Sequence, residues 1–140
     1  MLKGIPAILS PELLKILMEM GHGDELVIGD GNFPAASMAQ RLIRLDGHGV
    51  PEVLDAILRL YPLDTYVDAP VSLMAVGKGE SMPPIWNLYN ELVEKHQPGT
   101  KIDQTERFAF YDRAKAAYAV VATGEGAIYA NIILKKGVVK

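Results

Sequence analysis

Short apolar runs that end in turn residues recur along the chain and constrain its fold more strongly than any other feature. Each is too short for a helix, and a continuous apolar run of this length is typical of a strand buried on both faces. A further run, residues 41–45, partly alternates between polar and apolar side chains. The continuous runs are Leu26–Ile28, Val71–Val76, Tyr118–Thr123 and Asn131–Leu134.

Longer stretches with apolar residues at helical spacing lie between these runs, so strands and helices alternate. Ser10-Pro11-Glu12 is a typical helix start, with Ser10 as N-cap and an acidic residue in the first turn. Gly21 is predicted to end that helix in a left-handed conformation. The alternation predicts an α/β fold for residues 1–140: a single compact domain with layered helices around a mostly parallel central sheet.

Composition excludes several classes of protein. The chain has no cysteine, which rules out disulfides and thiolate chemistry. A net charge of -3 with interspersed signs predicts no nucleic-acid partner. No apolar run approaches the roughly 20 residues of a membrane helix, and residues 1–6 do not resemble a signal peptide. We therefore expect a cytoplasmic protein without a membrane partner.

Polar residues cluster where the predicted strands end, which is where open α/β sheets bind ligands. No G-x-S-x-G or S-x-x-K motif supports nucleophilic catalysis. Residues 29–31 form only a G-x-G without a third glycine, which is weak support for a phosphate site. A metal set of His22, Asp24, Asp46 and His48 lacks a recognised ligand spacing. Non-covalent acid–base chemistry on a substrate rich in hydroxyls is the remaining interpretation. The junction residues are His22, Asp30, Asp46, His48, Arg107, Tyr129 and Asn131.

Several conspicuous side chains have structural interpretations. His48 lies in a turn, where a capping or solvated role is favoured. His96 ends a predicted helix, where a cation offsets the helix dipole. Tyr111 lies one turn beyond Arg107 and is expected to share its face. Trp86, Tyr89 and Phe110 are predicted to belong to the core or to a subunit interface.

Several separate blocks together resemble one family, which contains the L-fucose mutarotases and the D-ribose pyranases. The resemblance runs from about Leu2 to Val138, with the blocks in the family's order. The Arg107 block favours the fucose branch, whereas Gly31 and Asn32 depart from that branch's common alanine and histidine. The blocks are Ser10–Leu14, Met20–Glu25, Asp30 with Phe33-Pro34, Arg107–Tyr111 and Tyr129–Gly137.

The resemblance implies a cofactor-free isomerase that equilibrates the α and β anomers of a fucose-like monosaccharide, with no metal. It implies a homo-oligomer, from a dimer to a decameric ring, with sites near subunit boundaries. By motif match, His22 is the implied proton donor. Asp30, Arg107 and the segment Tyr129-Ala130-Asn131 are implied sugar ligands, and Tyr111 is a weaker candidate. The alternatives are pyranose–furanose interconversion of ribose and a sugar-binding protein without turnover.

One geometric problem follows from these assignments. His22 and Asp30 flank a strand of roughly five residues, which at about 3.3 Å per residue holds them more than 10 Å apart. Either the Asp30 loop folds back along the strand, or the two residues serve the sites of different subunits.

Overall fold

Five helices and six strands make up the computed structural model, which describes all of residues 1–140. No helix in it has the length and apolar character needed to cross a membrane. The elements in chain order are α1 (Pro11–Glu19), β1 (Glu25–Gly29), α2 (Ala35–Met38), β2 (Leu42–Leu45), α3 (Val50–Leu58), β3 (Val71–Met74), α4 (Ile85–His96), β4 (Ile102–Thr105), α5 (Arg107–Ala116), β5 (Ala119–Thr123) and β6 (Ile132–Lys135).

Helix starts follow the capping rules. The Ser10 hydroxyl accepts the Leu13 N–H at 3.2 Å, which confirms the predicted N-cap of α1.

The prediction that Gly21 ends α1 in a left-handed conformation was wrong. α1 ends at Glu19, and the left-handed residue is Gly23, with φ of 87°. Gly23 takes this conformation where its N–H donates to the Lys136 carbonyl at 2.8 Å, which joins the turn to the end of β6.

All six strands form one sheet in the order β2-β5-β1-β6-β3-β4. The pairs β1/β5, β2/β5 and β3/β4 are parallel, whereas β6 runs antiparallel to both β1 and β3. The prediction of a mostly parallel sheet is therefore confirmed. Five strands point in one direction, so their carboxyl ends and the amino end of β6 meet at one edge.

Helices cover both faces of this sheet, as the continuous apolar strands require. The larger core packs α1, α3 and α4 against one face and includes Leu26 and Ile28 of β1. The smaller core packs α5 and the start of α2 against the other face and includes Val27. Alternate residues of one strand thus enter opposite cores.

The candidate residues from the sequence lie at two opposite edges of the sheet. We call the edge where β1 to β5 end and β6 begins the carboxyl edge, and the opposite one the amino edge. Asp30, Arg107 and the segment Tyr129–Asn131 lie at the carboxyl edge, directly beyond β1, after β4 and before β6. His22 precedes β1 and so lies at the amino edge.

Candidate active site

A cavity of about 330 Å³ opens at the carboxyl edge, within the size range of small-ligand pockets. Five of the residues proposed from the sequence line it: Asp30, Arg107, Tyr111, Tyr129 and Asn131. Ala130 is fully buried behind the wall and contributes through its backbone. Predicted residues from three separate segments of the chain are thus brought together.

Asp30 is one of two deeply buried polar groups of the cavity, with 5% of its surface exposed against 4% for Asn131. Its carboxylate accepts the N–H of Asn32 at 3.0 Å and of Ala130 at 3.3 Å. Burial raises the pKa of the Asp30 carboxyl; backbone N–H groups oppose this rise, and the negative charge of Glu125 adds to it. The result is a fixed, relatively basic carboxylate facing the cavity.

Hydrogen-bond donors complement this acceptor. The Asn131 Oδ1 accepts the Asp30 N–H at 2.7 Å, which fixes the amide so that Nδ2 is free of strong acceptors. Its neighbour is the Met74 sulfur at 3.8 Å, a weak acceptor. Arg107 donates from Nε to the Tyr111 hydroxyl at 3.1 Å, which confirms the predicted shared face. Arg107 forms no ion pair. The cavity therefore presents unused N–H donors as well as a carboxylate.

Tyr129 is the one residue other than glycine with a positive φ, at 53°. Such a conformation costs free energy of the order of 1 kcal/mol or more and persists where the surroundings enforce it. The Trp86 indole donates to the Tyr129 carbonyl at 2.8 Å, and the Tyr89 hydroxyl donates to the Ala130 carbonyl at 2.8 Å. Trp86 and Tyr89 are buried, as predicted, and their polar ends hold the segment that enters β6.

Sequence reasoning missed the other five lining residues: Asn32, Phe33, Met74, Glu80 and Ile128. Glu80 follows a turn after β3 in which Gly79 has φ of 83°. A Cβ on Gly77 would lie 2.9 Å from the Tyr129 hydroxyl and 3.3 Å from the Glu80 carboxylate, so both groups approach this glycine closely. Gly77 and Gly79, directly after a predicted strand, were the sequence feature that could have revealed this part of the cavity.

His22 lies away from this cavity. The five residues of β1 separate it from Asp30, a span of about 16 Å at 3.3 Å per residue. The Asp30 loop does not fold back along the strand, because Gly31 bonds forward to the Glu125 carbonyl at the carboxyl edge. One chain therefore does not bring His22 and Asp30 into one site.

The histidine has a defined partner at the amino edge. Its Nε2 lies 3.0 Å from the Asp64 Oδ1; the His22 side chain is 45% exposed and that of Asp64 only 3%. Burial alone would raise the pKa of Asp64, but the Tyr66 N–H and the His22 ring hold it below its ordinary value. The Tyr66 ring is tilted against the imidazole, with centroids 5.3 Å apart. A buried carboxylate thus orients a half-exposed imidazole.

The remaining histidines have structural contacts. His48 pairs with Glu52 at 3.0 Å at the start of α3, in agreement with a capping role. His96 ends α4 and bonds to Asp55 at 2.6 Å, which ties α4 to α3. No group of three or more potential metal ligands forms in the structure, so the four residues considered as a metal set do not converge.

The family model described as the RbsD / FucU transport protein family matches residues 3–139. The chain belongs to this family. Two relatives of this chain are an L-fucose mutarotase of Actinobacillus pleuropneumoniae and a fucose mutarotase of Homo sapiens. The first is 53% identical over 99% of this chain and 97% of its own length. The second is 49% identical over 98% of this chain and 94% of its own length.

Solved structures extend this RbsD / FucU relationship. The fucose mutarotase from Streptococcus pneumoniae in complex with L-fucose superposes with a TM-score of 0.95; it is 56% identical and covers 99% of this chain and all of its own. The Bacillus subtilis RbsD complexed with D-ribose has a TM-score of 0.73 and 23% identity, a likeness of fold alone.

Proposed function

We propose that this chain is an L-fucose mutarotase that interconverts the α and β anomers by general acid–base catalysis. The observation that carries the proposal is the carboxyl-edge cavity, where the basic Asp30 carboxylate faces unused N–H donors of Arg107 and Asn131. A sugar carries hydroxyl groups that both donate and accept hydrogen bonds, and this arrangement satisfies both. The relatives of about 50% identity are named for this activity, and the fucose mutarotase from Streptococcus pneumoniae, 56% identical, is solved in complex with L-fucose.

Anomers interconvert when the hemiacetal ring opens, the carbonyl group rotates about its bond to the neighbouring carbon, and the ring closes again. Opening needs a proton at the ring oxygen and removal of one from the anomeric hydroxyl. Each positioned acid or base typically contributes about 10²–10⁴-fold. Because mutarotation also proceeds unaided in water, acid–base groups of this strength suffice for an enzyme.

In this scheme Asp30, Arg107 and Asn131 hold the sugar hydroxyls, and the Ala130 N–H fixes the Asp30 carboxylate. We assign proton exchange with the anomeric hydroxyl to Tyr129, which lines the cavity and whose hydroxyl lies close to Gly77. Tyr111 supports the Arg107 guanidinium through their hydrogen bond. Residues 1–140 then act as one mutarotase domain.

His22 supplies the ring-oxygen proton in this proposal, to the cavity of a neighbouring copy. Two observations favour this arrangement over a site within one chain. His22 lies at the amino edge, away from its own cavity, and Asp64 orients it as a carboxylate orients a general acid–base histidine. Exposed apolar side chains flank both places: Phe108 and Ile128 near the cavity, and Val139 near the amino edge. A homo-oligomer that joins these surfaces completes the site and covers them.

A cytoplasmic enzyme that acts on a free monosaccharide, without nucleic acid or membrane as partner, agrees with this proposal. The test is exchange NMR on the anomeric signals of L-fucose, with D-ribose in parallel. Accelerated exchange between the fucose anomers is the expected result. Exchange only with ribose would assign a pyranase instead, and saturation transfer without exchange would assign a sugar-binding protein.

A further inference from the structure

Glu125 lies behind the candidate site and contacts three segments of the chain, two of which lead into the site. It follows β5, the parallel neighbour of β1, so the turn after β5 lies beside the Asp30 turn. The Gly31 N–H donates to the Glu125 carbonyl at 2.8 Å. The Thr123 hydroxyl donates to the Gly29 carbonyl at 2.7 Å and accepts the Glu125 N–H at 3.2 Å. The residues on both sides of Asp30 are therefore bonded to this one turn.

The Glu125 side chain joins two further segments. Its Oε1 accepts the Val50 N–H at 3.1 Å, at the first residue of α3. Its Oε2 accepts the Ala127 N–H at 3.2 Å, where the segment that leads to Tyr129 and Asn131 begins. Both carboxylate oxygens are thus engaged with backbone donors, and the side chain has a fixed place.

The same carboxylate places a negative charge near Asp30. The other titratable or charged groups that line the cavities on either side of Asp30 are Arg44, Asp46, Glu80, Arg107, Tyr111 and Tyr129. Arg44 is paired with Asp46, and Arg107 bonds to Tyr111. Burial has the largest effect on the pKa of Asp30. Of the charged groups around Asp30, Glu125 is the one whose charge adds to this rise.

We propose that Glu125 is a positioning residue of the sugar site, which fixes the Asp30 turn and the Tyr129 segment together. Its negative charge adds a smaller effect, a rise in the pKa of Asp30. It touches no sugar itself. The part of the inference that concerns sugar binding rests on the proposed function, whereas its effect on Asp30 does not.

The decisive variant is Glu125→Gln, with Glu52→Gln as matched control. Glu52 also caps the start of α3, through the Gly49 N–H at 3.0 Å, but is not among the groups that act on Asp30. The measurement is a ¹³C NMR titration of the Asp30 carboxyl carbon. In E125Q the Asp30 midpoint moves to lower pH, and in E52Q it stays at the wild-type value. An Asp30 midpoint that is equal in E125Q and E52Q would overturn the inference.

Glu125→Asp separates the effect of the charge from the effect of side-chain length. It also provides a test if E125Q does not fold. It keeps the charge near Asp30 but draws the carboxylate back from Val50 and Ala127. We expect the midpoint of the Asp30 titration to remain. The dissociation constant for L-fucose should rise about threefold or more, because the Asp30 turn and the Tyr129 segment are held together less firmly. Wild-type fucose affinity in E125D would contradict the positioning role. Absence of fucose exchange in the wild type would refute the proposed function alone, because the carboxyl titration needs no activity.

Discussion

Each edge of the sheet carries one buried aspartate, and the two carboxyl groups differ in their environment. At the carboxyl edge, burial and the charge of Glu125 raise the pKa of Asp30, and its free side faces a cavity. At the amino edge, the pKa of Asp64 is lowered against the effect of burial by the Tyr66 N–H and His22. The difference agrees with the proposed division of tasks, in which one edge holds the ligand and the other orients a histidine.

The largest expected effect separates these two tasks. His22→Ala should lower kcat for fucose exchange by about 10²–10⁴-fold, the usual contribution of a general acid. Fucose affinity should stay close to wild type, because the cavity residues are unchanged. Exchange NMR gives kcat, and saturation transfer gives binding. Full activity in folded H22A would show that the histidine has no part in the reaction.

A smaller effect, on binding, is expected at the other edge. Asp30→Asn removes a charged acceptor of sugar hydroxyls, so fucose affinity should fall about tenfold to a hundredfold, as for a lost charge-assisted hydrogen bond. Asp46→Asn is the control, since Asp46 also lies at the carboxyl edge but pairs with Arg44 on the surface. Equal affinities in D30N and D46N, measured by calorimetric titration, would remove Asp30 from the site.

The smallest effects concern stability and have opposite signs at neutral pH. Asp64 has a folded-state pKa below its unfolded value. Its contribution to folding stability is therefore present above the unfolded pKa of about 3.9 and is lost as pH falls through the folded value. Asp30 has a raised folded-state pKa, so its contribution is present below the unfolded pKa and is lost as pH rises through the folded value. Asp64→Asn should therefore lower the melting temperature at pH 7 by several degrees, and Asp30→Asn should raise it slightly.

Thermal melts across a pH series check this contrast. The difference in melting temperature between D64N and the wild type should shrink as the pH falls below 4, where Asp64 of the wild type becomes protonated. The higher melting temperature of D30N should likewise approach that of the wild type as the pH falls, because protonated wild-type Asp30 no longer carries a buried charge. Shifts of the same sign in both variants at pH 7 would mean that the two environments do not differ as described.

The carboxyl edge was largely predictable from the sequence, and the partner at the amino edge was not. Asp30 directly follows an apolar strand and Tyr129–Asn131 precedes another, so their edge follows from the strands alone. Asp64 lies in a segment without periodicity, 42 residues from His22. It reaches the histidine because Leu63 pairs with Lys136 in an isolated bridge beside β6, a long-range contact that no local pattern reveals. Glu80 and Glu125 belong to loops whose contacts likewise depend on strand order.

The proposal that both edges form one site between two copies is tested most directly by complementation. H22A and D30N chains with different affinity tags are co-expressed, and assemblies that carry both tags are isolated. Such an assembly contains sites that combine an intact cavity of the H22A chain with His22 of the D30N chain. We predict fucose exchange well above that of either variant alone, and no such rise in a doubly tagged H22A control. Mixed assemblies no more active than their parents would contradict a site shared between copies.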